Sequence, residues 1–266
     1  METTLYYFSG TGNSLHFARE LATQLQCREP LSISELMTKD SIEITGSKIG
    51  LVFPVYAWGP PRIVMDFISK LKFSSNPYIF SVVTCVGIPA KTMDAVSKGL
   101  ETKGQKLDAG FVVKAPSSSL MKMNVFDKII IAVDRKRKKL QTGEERLPEI
   151  VSKVQMHEKH PLESSSSIAN YFGNLFHDKG LDYFKTAAQS FQVEKNCTGC
   201  GICVRVCPRV NIVLENWRPR FSDNCEFCHA CIQCCPEFAI THPDFEEERV
   251  RYRHPKVAVK DLVVNV

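Results

Sequence analysis

The 266-residue sequence contains no apolar run long enough to cross a membrane, and its first residues lack the layout of a signal peptide. It also lacks a strong excess of one charge, since the formal net charge is only +5, so nucleic acid is not an expected partner. None of its seven histidines has the spacing of a metal ligand. These absences predict a cytoplasmic protein without a membrane span. In that reducing compartment, the eleven cysteines are expected to bind metal rather than form disulfides.

Most of the cysteines fall into two runs of identical spacing. In residues 197–208 and again in residues 225–236, successive cysteines are separated by two, two and three residues, and the last one precedes proline. This spacing is typical of bacterial proteins that bind two [4Fe–4S] clusters, where the last cysteine of each run completes the other cluster. The predicted ligands are Cys197, Cys200, Cys203 and Cys235 for one cluster, and Cys225, Cys228, Cys231 and Cys207 for the other.

Two alternatives to this assignment have less support. A structural zinc ion would favour widely separated Cys-x2-Cys pairs over two four-cysteine runs that each end in Cys-Pro. Cys234 could replace its neighbour Cys235 as a ligand, and the spacing leaves that swap open. The three-residue interval and the following proline favour Cys235, which leaves Cys234 as a packed thiol near the cluster.

A loop rich in hydroxyl groups and glycine follows the first predicted strand, Thr4 to Phe8. Apolar residues then recur at helical spacing from Leu15 to Leu25, so the loop opens onto a helix N-terminus, where backbone N–H groups bind phosphate. Leu15 replaces the third glycine of a dinucleotide-binding motif, and the lysine of a P-loop is missing. A single phosphate is therefore the favoured ligand, and the alternative is an ordinary strand–helix turn. The residues of this phosphate loop are Ser9, Gly10, Thr11, Gly12, Asn13 and Ser14.

Strands and helices alternate through the rest of the N-terminal part. Further strands are predicted at residues 28–33, 49–55, 78–85 and 106–114, and helices at residues 63–71 and 91–100. Such alternation predicts an α/β fold with a doubly wound parallel sheet, whose ligand site lies beyond the carboxyl ends of the strands.

Two loops are expected at those carboxyl ends. Residues 54–61 contain two aromatic side chains that could stack on a planar ring, although either would equally well pack on the edge of the sheet. Residues 84–89 could line the polar edge of such a ring. The cysteine in this second loop has no His or Asp near it in sequence, which favours a half-buried thiol over a nucleophile. The candidate ring contacts are Tyr56, Trp58, Thr84, Cys85 and Gly87.

Residues 8–14, Phe-Ser-Gly-Thr-Gly-Asn-Ser, resemble the FMN-phosphate loop of flavodoxins. Together with the two cysteine runs, they resemble the flavodoxin–ferredoxin fusion proteins of anaerobic bacteria and archaea. The resemblance implies a flavodoxin-like domain that binds FMN, with strand order 2-1-3-4-5, and a smaller ferredoxin domain with two [4Fe–4S] clusters. It also implies a flavin ring contact by Trp58 or Tyr56, and phosphate contacts by Ser9, Thr11, Gly12, Asn13 and Ser14.

The chain is expected to contain four parts. These are an FMN-binding domain with a helical extension (1–160), a helical connection (161–190), a ferredoxin domain (191–245) and a tail that docks back as a strand (246–266).

Apolar spacing also predicts helices between the two cofactor-binding domains. They lie near residues 126–140, 150–154 and 168–176, and their apolar stripes are expected to pack as core. The basic run 135–139 is expected to be a solvated helix face, and the alternative is a docking patch for an acidic partner.

These features predict an electron carrier that relays electrons between FMN, two [4Fe–4S] clusters and redox partner proteins. Short-chain flavodoxins have a second ring-stacking aromatic that residues 84–90 lack, so one flavin face is expected to be open to a partner or substrate. One alternative is therefore a flavin-dependent reductase of a small substrate, fed by the clusters. Another is a ferredoxin whose α/β domain binds partners without FMN. The sequence leaves the electron donor, the acceptor and the oligomeric state open.

Overall fold

The computed structural model describes residues 2–122, 142–246 and 251–265. The helix predicted near residues 126–140 and the basic run 135–139 lie outside these residues. In the described parts of the chain, no helix is both long enough and apolar enough to cross a bilayer.

Strands and helices alternate through the N-terminal part of the described chain. The strands are β1 (Thr3–Tyr7), β2 (Leu31–Ser32), β3 (Ile42–Ile44), β4 (Lys48–Pro54), β5 (Leu71–Phe73), β6 (Tyr78–Cys85) and β7 (Ala109–Lys114). The helices are α1 (Asn13–Leu25), α2 (Ile33–Leu36), α3 (Arg62–Lys70) and α4 (Thr92–Glu101).

Five of these strands form one parallel sheet in the order β2-β1-β4-β6-β7. If only these five strands are numbered, from 1 to 5 by their order in the sequence, they lie in the order 2-1-3-4-5. This is the order that the resemblance implies. The central strands β4 and β6 are buried along nearly their whole length, because helices cover both faces of the sheet. Helix α1 packs on one face through Phe17 and Leu21, and α3 packs on the other through Phe67. The predicted α/β fold class is confirmed.

Some short elements differ from the sequence-based expectation. The strands β3 and β5 form a separate parallel pair that was not predicted, because three-residue strands are too short to show a period. The strand predicted at residues 28–33 is reduced to β2. It ends there because Ser32 accepts a hydrogen bond from the Glu35 N–H at 3.5 Å and so caps α2.

Two of the helices predicted between the domains lie within the described residues. They are α5 (Gly143–Gln155) and α6 (Ser167–Ala187). Helix α5 packs on the same sheet face as α1 through Leu147, Ile150 and Val154, as expected.

For α6, the expectation that its apolar stripe packs as core holds for only part of the stripe, because Phe172 and Phe176 are half-buried while two other members are exposed. Ile168 and Leu175 are each 52% exposed. The helix instead approaches the α/β part with its small residues, since a Cβ placed on Gly173 would lie 2.6 Å from the Ala90 Cβ and 3.2 Å from the Trp58 Cβ. Phe176 of the stripe lies near Trp58, with ring centroids 6.2 Å apart, whereas Ile168 and Leu175 remain exposed.

Residues 191–246, here called the cysteine module, contain two halves with the same backbone path. Positive φ angles occur at equal offsets within the two cysteine runs, at Gly199 and Gly201 in the first and at Phe227 and His229 in the second. A short helix follows each of these turns. The elements of the module are β8 (Gln192–Val193), α7 (Ile202–Arg205), β9 (Ile212–Glu215), β10 (Arg218–Phe221), α8 (Ala230–Gln233) and β11 (Ile240–Thr241).

The described part of the tail, residues 251–265, docks back on the protein, but the expected strand does not form. The tail contains a 3₁₀ helix, Val259–Leu262, and it buries Val257 in a cluster with Leu15 of α1 and Ala230 of α8. Because the tail lies on helices rather than along a free strand edge, it has no strand with which to form a hydrogen-bonded ladder.

Candidate cofactor sites

The cysteines of the two runs line two separate cavities in the module. The first is here called the upstream cavity, and the second the downstream cavity. Each receives three cysteines from one run and the last cysteine of the other, which is the grouping that the spacing predicts. The upstream cavity is lined by Cys197, Cys200, Cys203 and Cys235, and the downstream cavity by Cys207, Cys225, Cys228 and Cys231.

Backbone N–H groups of the module donate to sulfurs of the downstream cavity. The Asn211 N–H lies 3.3 Å from Cys207 Sγ, and the Phe227 N–H lies 3.2 Å from Cys225 Sγ. Such donors stabilise thiolates and contribute to the reduction potential of an iron–sulfur cluster. These contacts therefore suit a thiolate-bound cluster at this site.

In four of the lining thiols, burial raises the pKa and neighbouring thiols add to the shift; these are Cys203, Cys225, Cys228 and Cys231. The pKa of Cys203 rises to about 11 through burial and then through Cys200, Cys235 and Cys197, and burial raises the pKa of Cys225 to about 12. In the described residues, no three such side chains converge tightly enough for a single metal ion. The thiols line a cavity instead. A multivalent cluster, which binds thiolates in place of protonated thiols, fits this donor set.

Cys234 lines neither of these two cavities. It is buried in a cluster with Leu15 and Val257, and Arg253 forms a hydrogen bond with its side chain. Burial raises the pKa of this thiol. Cys234 is therefore a packed thiol, as the cysteine spacing favours.

A third cavity, here called the sheet-edge cavity, lies beyond the carboxyl ends of β1, β4, β6 and β7. Residues 115–119, directly after β7, also line it and were not predicted. A signal for them existed, because they too follow the carboxyl end of a parallel strand. The predicted contacts that line the cavity are Ser9, Thr11, Asn13, Ser14, Tyr56, Thr84 and Cys85. The predicted contacts that do not line it are Gly12, Trp58 and Gly87.

The phosphate loop is ordered by its own hydroxyl groups. Gly12 has a φ of 98°, which suits glycine, and its N–H donates to Ser9 Oγ at 3.0 Å. Ser14 Oγ lies 2.9 Å from Thr84 Oγ1, which ties the loop to the end of β6. Helix α1 begins at Asn13 without a side-chain cap. The N–H groups of its first turn are therefore suited to bind an anion.

The two candidate ring aromatics occupy different places. Trp58 packs under α6, with its ring centroid 6.2 Å from that of Phe176, so the structure does not place it at the sheet-edge cavity. Tyr56 lines the cavity and packs edge-on against Phe8, with centroids 5.9 Å apart. Sequence alone could not separate the two, because the packing of Trp58 depends on a distant helix.

The sheet-edge cavity and the downstream cavity share a wall at Gly10. A Cβ atom placed on Gly10 would lie 2.5 Å from the Cys228 carbonyl oxygen and 2.9 Å from both Cys228 Cβ and Tyr56 Oη. These contacts leave no room for a side chain, so glycine is needed there for close approach. Burial raises the pKa of Tyr56 well above its usual value, and Cys228 adds to that shift. The phosphate loop and Cys228, whose side chain lines the downstream cavity, are thus in direct contact.

A buried ion pair within the module also contacts α3. Glu226 is 2% exposed and accepts from Arg209 Nε at 2.7 Å and from the Ile63 N–H at 3.3 Å. Arg209 also donates to Asp66 at 2.7 Å. Burial alone would lower the pKa of Arg209, but Glu226 and Asp66 raise it overall. The ion pair therefore helps to fix the position of the downstream cavity relative to the sheet.

Replacing Glu226 with glutamine is expected to loosen this contact. Breaking a buried ion pair costs about 3–5 kcal/mol, or a fall of roughly 10 °C in Tm for a chain of this size. Anaerobic calorimetry of the cofactor-loaded protein measures the difference. The control is Glu43→Gln, because the pair between Glu43 and Lys72 is exposed on both sides and is worth under about 1 kcal/mol. Equal melting temperatures for the two variants would contradict the role of Glu226.

Comparisons with known proteins agree with part of this description. A family model described as a 4Fe-4S binding domain matches residues 192–213, which include the upstream cysteine run. No curated protein matches the chain. The fold and the family match together define an α/β protein with a 4Fe-4S binding domain towards its C-terminus.

Two solved structures have weak similarity to the chain. One is a protein from Bacteroides uniformis assigned as a flavoprotein, with 16% identity, a TM-score of 0.34, and coverage of 44% of this chain and 92% of that chain. The other is an azoreductase from Bacillus anthracis, with 9% identity, a TM-score of 0.32, and coverage of 65% of this chain and 100% of that chain. Similarity at this level carries no weight for the cofactor or the activity.

Proposed function

We propose that this chain is an electron carrier that holds FMN in the sheet-edge cavity and one [4Fe–4S] cluster in each thiol-lined cavity. When bound, FMN exchanges one or two electrons, and each cluster exchanges one. The observation that carries the proposal is the wall at Gly10, where the phosphate loop touches Cys228. Cofactor sites that touch within one chain favour electron transfer inside the molecule.

The residues of the sheet-edge cavity suit FMN in a particular orientation. The hydroxyl groups of Ser9, Thr11 and Ser14 and the first turn of α1 would hold the phosphate. Tyr56 would pack on the ring, and residues 84–86 would present backbone groups to its polar edge.

The three sites would then act in series, with the downstream cluster between the flavin and the upstream cluster. Burial raises the pKa of Cys231, and Cys203 of the upstream cavity is among the neighbours that add to the shift, so the two thiol sets are close. Cys200 of the upstream cavity is exposed, whereas Cys231 is buried. The upstream cluster is therefore the better placed of the two to meet external redox partner proteins.

In this proposal, residues 1–160 bind FMN, residues 161–190 connect the domains, residues 191–245 bind the clusters, and the tail 246–266 closes against both. The domain organisation is that of a flavodoxin–ferredoxin fusion working in a reducing cytoplasm.

Anaerobic reconstitution with iron, sulfide and FMN tests the proposal. We expect about eight irons and one FMN per chain, with broad iron–sulfur absorption beneath the flavin bands. Protein that binds iron but no flavin at any FMN concentration would favour the alternative, a ferredoxin whose α/β domain binds partners. Protein that stays colourless would contradict the proposal entirely.

A further inference from the structure

A chain of hydrogen bonds links the cysteine module to two walls of the sheet-edge cavity. Gln233 Nε2 donates to the Ser118 carbonyl at 2.8 Å, and Gln233 Oε1 accepts from the Tyr252 N–H at 2.7 Å. Tyr252 Oη donates to Asn13 Oδ1 at 2.7 Å, and Asn13 Nδ2 donates to the Pro116 carbonyl at 3.0 Å. This series of hydrogen bonds begins and ends in residues 115–119, and it passes through α8, the tail and the phosphate loop.

The tail makes further contacts with the same loop. The His254 N–H donates to the Thr11 carbonyl at 2.9 Å. Val257 is 1% exposed, and its Cβ lies 2.9 Å from the point where a Cβ on Gly12 would be. None of these tail residues lines the cavity. The tail therefore orders the phosphate loop from outside the cavity, so its residues are positioning residues for the ligand.

Gln233 lies between cysteines of both thiol-lined cavities. Its helix contains Cys231 of the downstream cavity, and Cys235 of the upstream cavity follows shortly after the helix. Clusters that fix these cysteines would also fix Gln233, and through it Ser118 and Tyr252. A preorganised loop binds its ligand more tightly, because the ordering cost is met before binding.

We propose that Tyr252 positions the phosphate loop and that, through Gln233, cluster assembly and FMN binding strengthen each other. The inference rests on the proposed function, because it requires both cofactors. Linkage is reciprocal, so clusters that tighten FMN binding must themselves be held more tightly when FMN is bound.

The first test is Tyr252→Phe, which removes only the hydroxyl group that reaches Asn13. In protein loaded with both clusters, calorimetric titration should give an FMN Kd about five- to tenfold higher, the effect of one hydrogen bond. Iron content should not change. The matched control is Tyr171→Phe, since Tyr171 is 66% exposed on α6 and its variant should keep the original Kd.

The second test measures the reciprocal effect as the rate at which a chelator removes iron from the loaded protein. FMN should slow this loss severalfold in the unmodified protein, and the protection should be smaller in Tyr252→Phe. An unchanged Kd in Tyr252→Phe, or iron loss that FMN does not slow, would overturn the inference. Unmodified protein that binds clusters but no FMN would instead overturn the proposed function.

Discussion

Replacing Gly10 with alanine is expected to weaken FMN binding by about tenfold or more. The new Cβ would lie 2.5 Å from the Cys228 carbonyl oxygen, so either the phosphate loop or the cysteine-bearing segment must move. Overpacking of this kind costs about 1–3 kcal/mol, and each 1.4 kcal/mol corresponds to a factor of about ten in Kd. Anaerobic titration of cluster-loaded protein with FMN measures the change.

The matched control for this substitution is Gly46→Ala. A Cβ on Gly46 would have its nearest contact at 3.2 Å, with Thr4 Oγ1, and Gly46 does not line the sheet-edge cavity. This variant should bind FMN like the unmodified protein. Loss of the downstream cluster together with FMN in Gly10→Ala would also support a shared wall. Unchanged affinity and unchanged iron content in Gly10→Ala would show that the two sites do not meet there.

Replacing Cys207 with alanine is expected to remove one cluster, leaving about four of eight irons per chain. The cluster that is lost should be the downstream one, because Cys207 lines the cavity that contains Cys225, Cys228 and Cys231. Iron analysis gives the count. Electron paramagnetic resonance of the reduced protein then identifies the cluster that remains.

Three companion variants make the assignment unambiguous. Cys228→Ala should leave the same resonance spectrum as Cys207→Ala, because both residues line the downstream cavity. Cys234→Ala should keep all of its iron, since Cys234 lies outside both cavities. A Cys207→Ala spectrum that matches Cys200→Ala instead would contradict the crossed ligand sets.

The features that sequence predicted well are those encoded within short stretches. The spacing of the two cysteine runs is enough to group the thiols, and the loop from Ser9 to Ser14 is recognised from its position between a strand and a helix. The parallel sheet follows from the alternation of apolar segments, because each strand and helix carries its own period. The fold class therefore follows from the residues themselves, whereas the strand order was implied only by the resemblance to flavodoxins.

The features that sequence could not predict depend on contacts between distant segments. Nothing near Trp58 indicates that α6 will cover it, and nothing near Gly10 indicates that Cys228 will approach it. The tail shows alternating apolar residues, yet it docks on helices because of where α1 and α8 lie. The fold determines which local patterns meet, so the shared wall of the two cavities is visible only in three dimensions.

In the proposed function, flavin and clusters exchange electrons within one chain. The most direct measurement is flash reduction of the loaded protein by a photochemically generated one-electron donor, with flavin and cluster absorbance followed in time. If the sites meet at Gly10, one signal should decay as the other grows, with a single first-order rate constant that is the same at every protein concentration. A rate that rises in proportion to protein concentration, or no exchange at all, would contradict the claim.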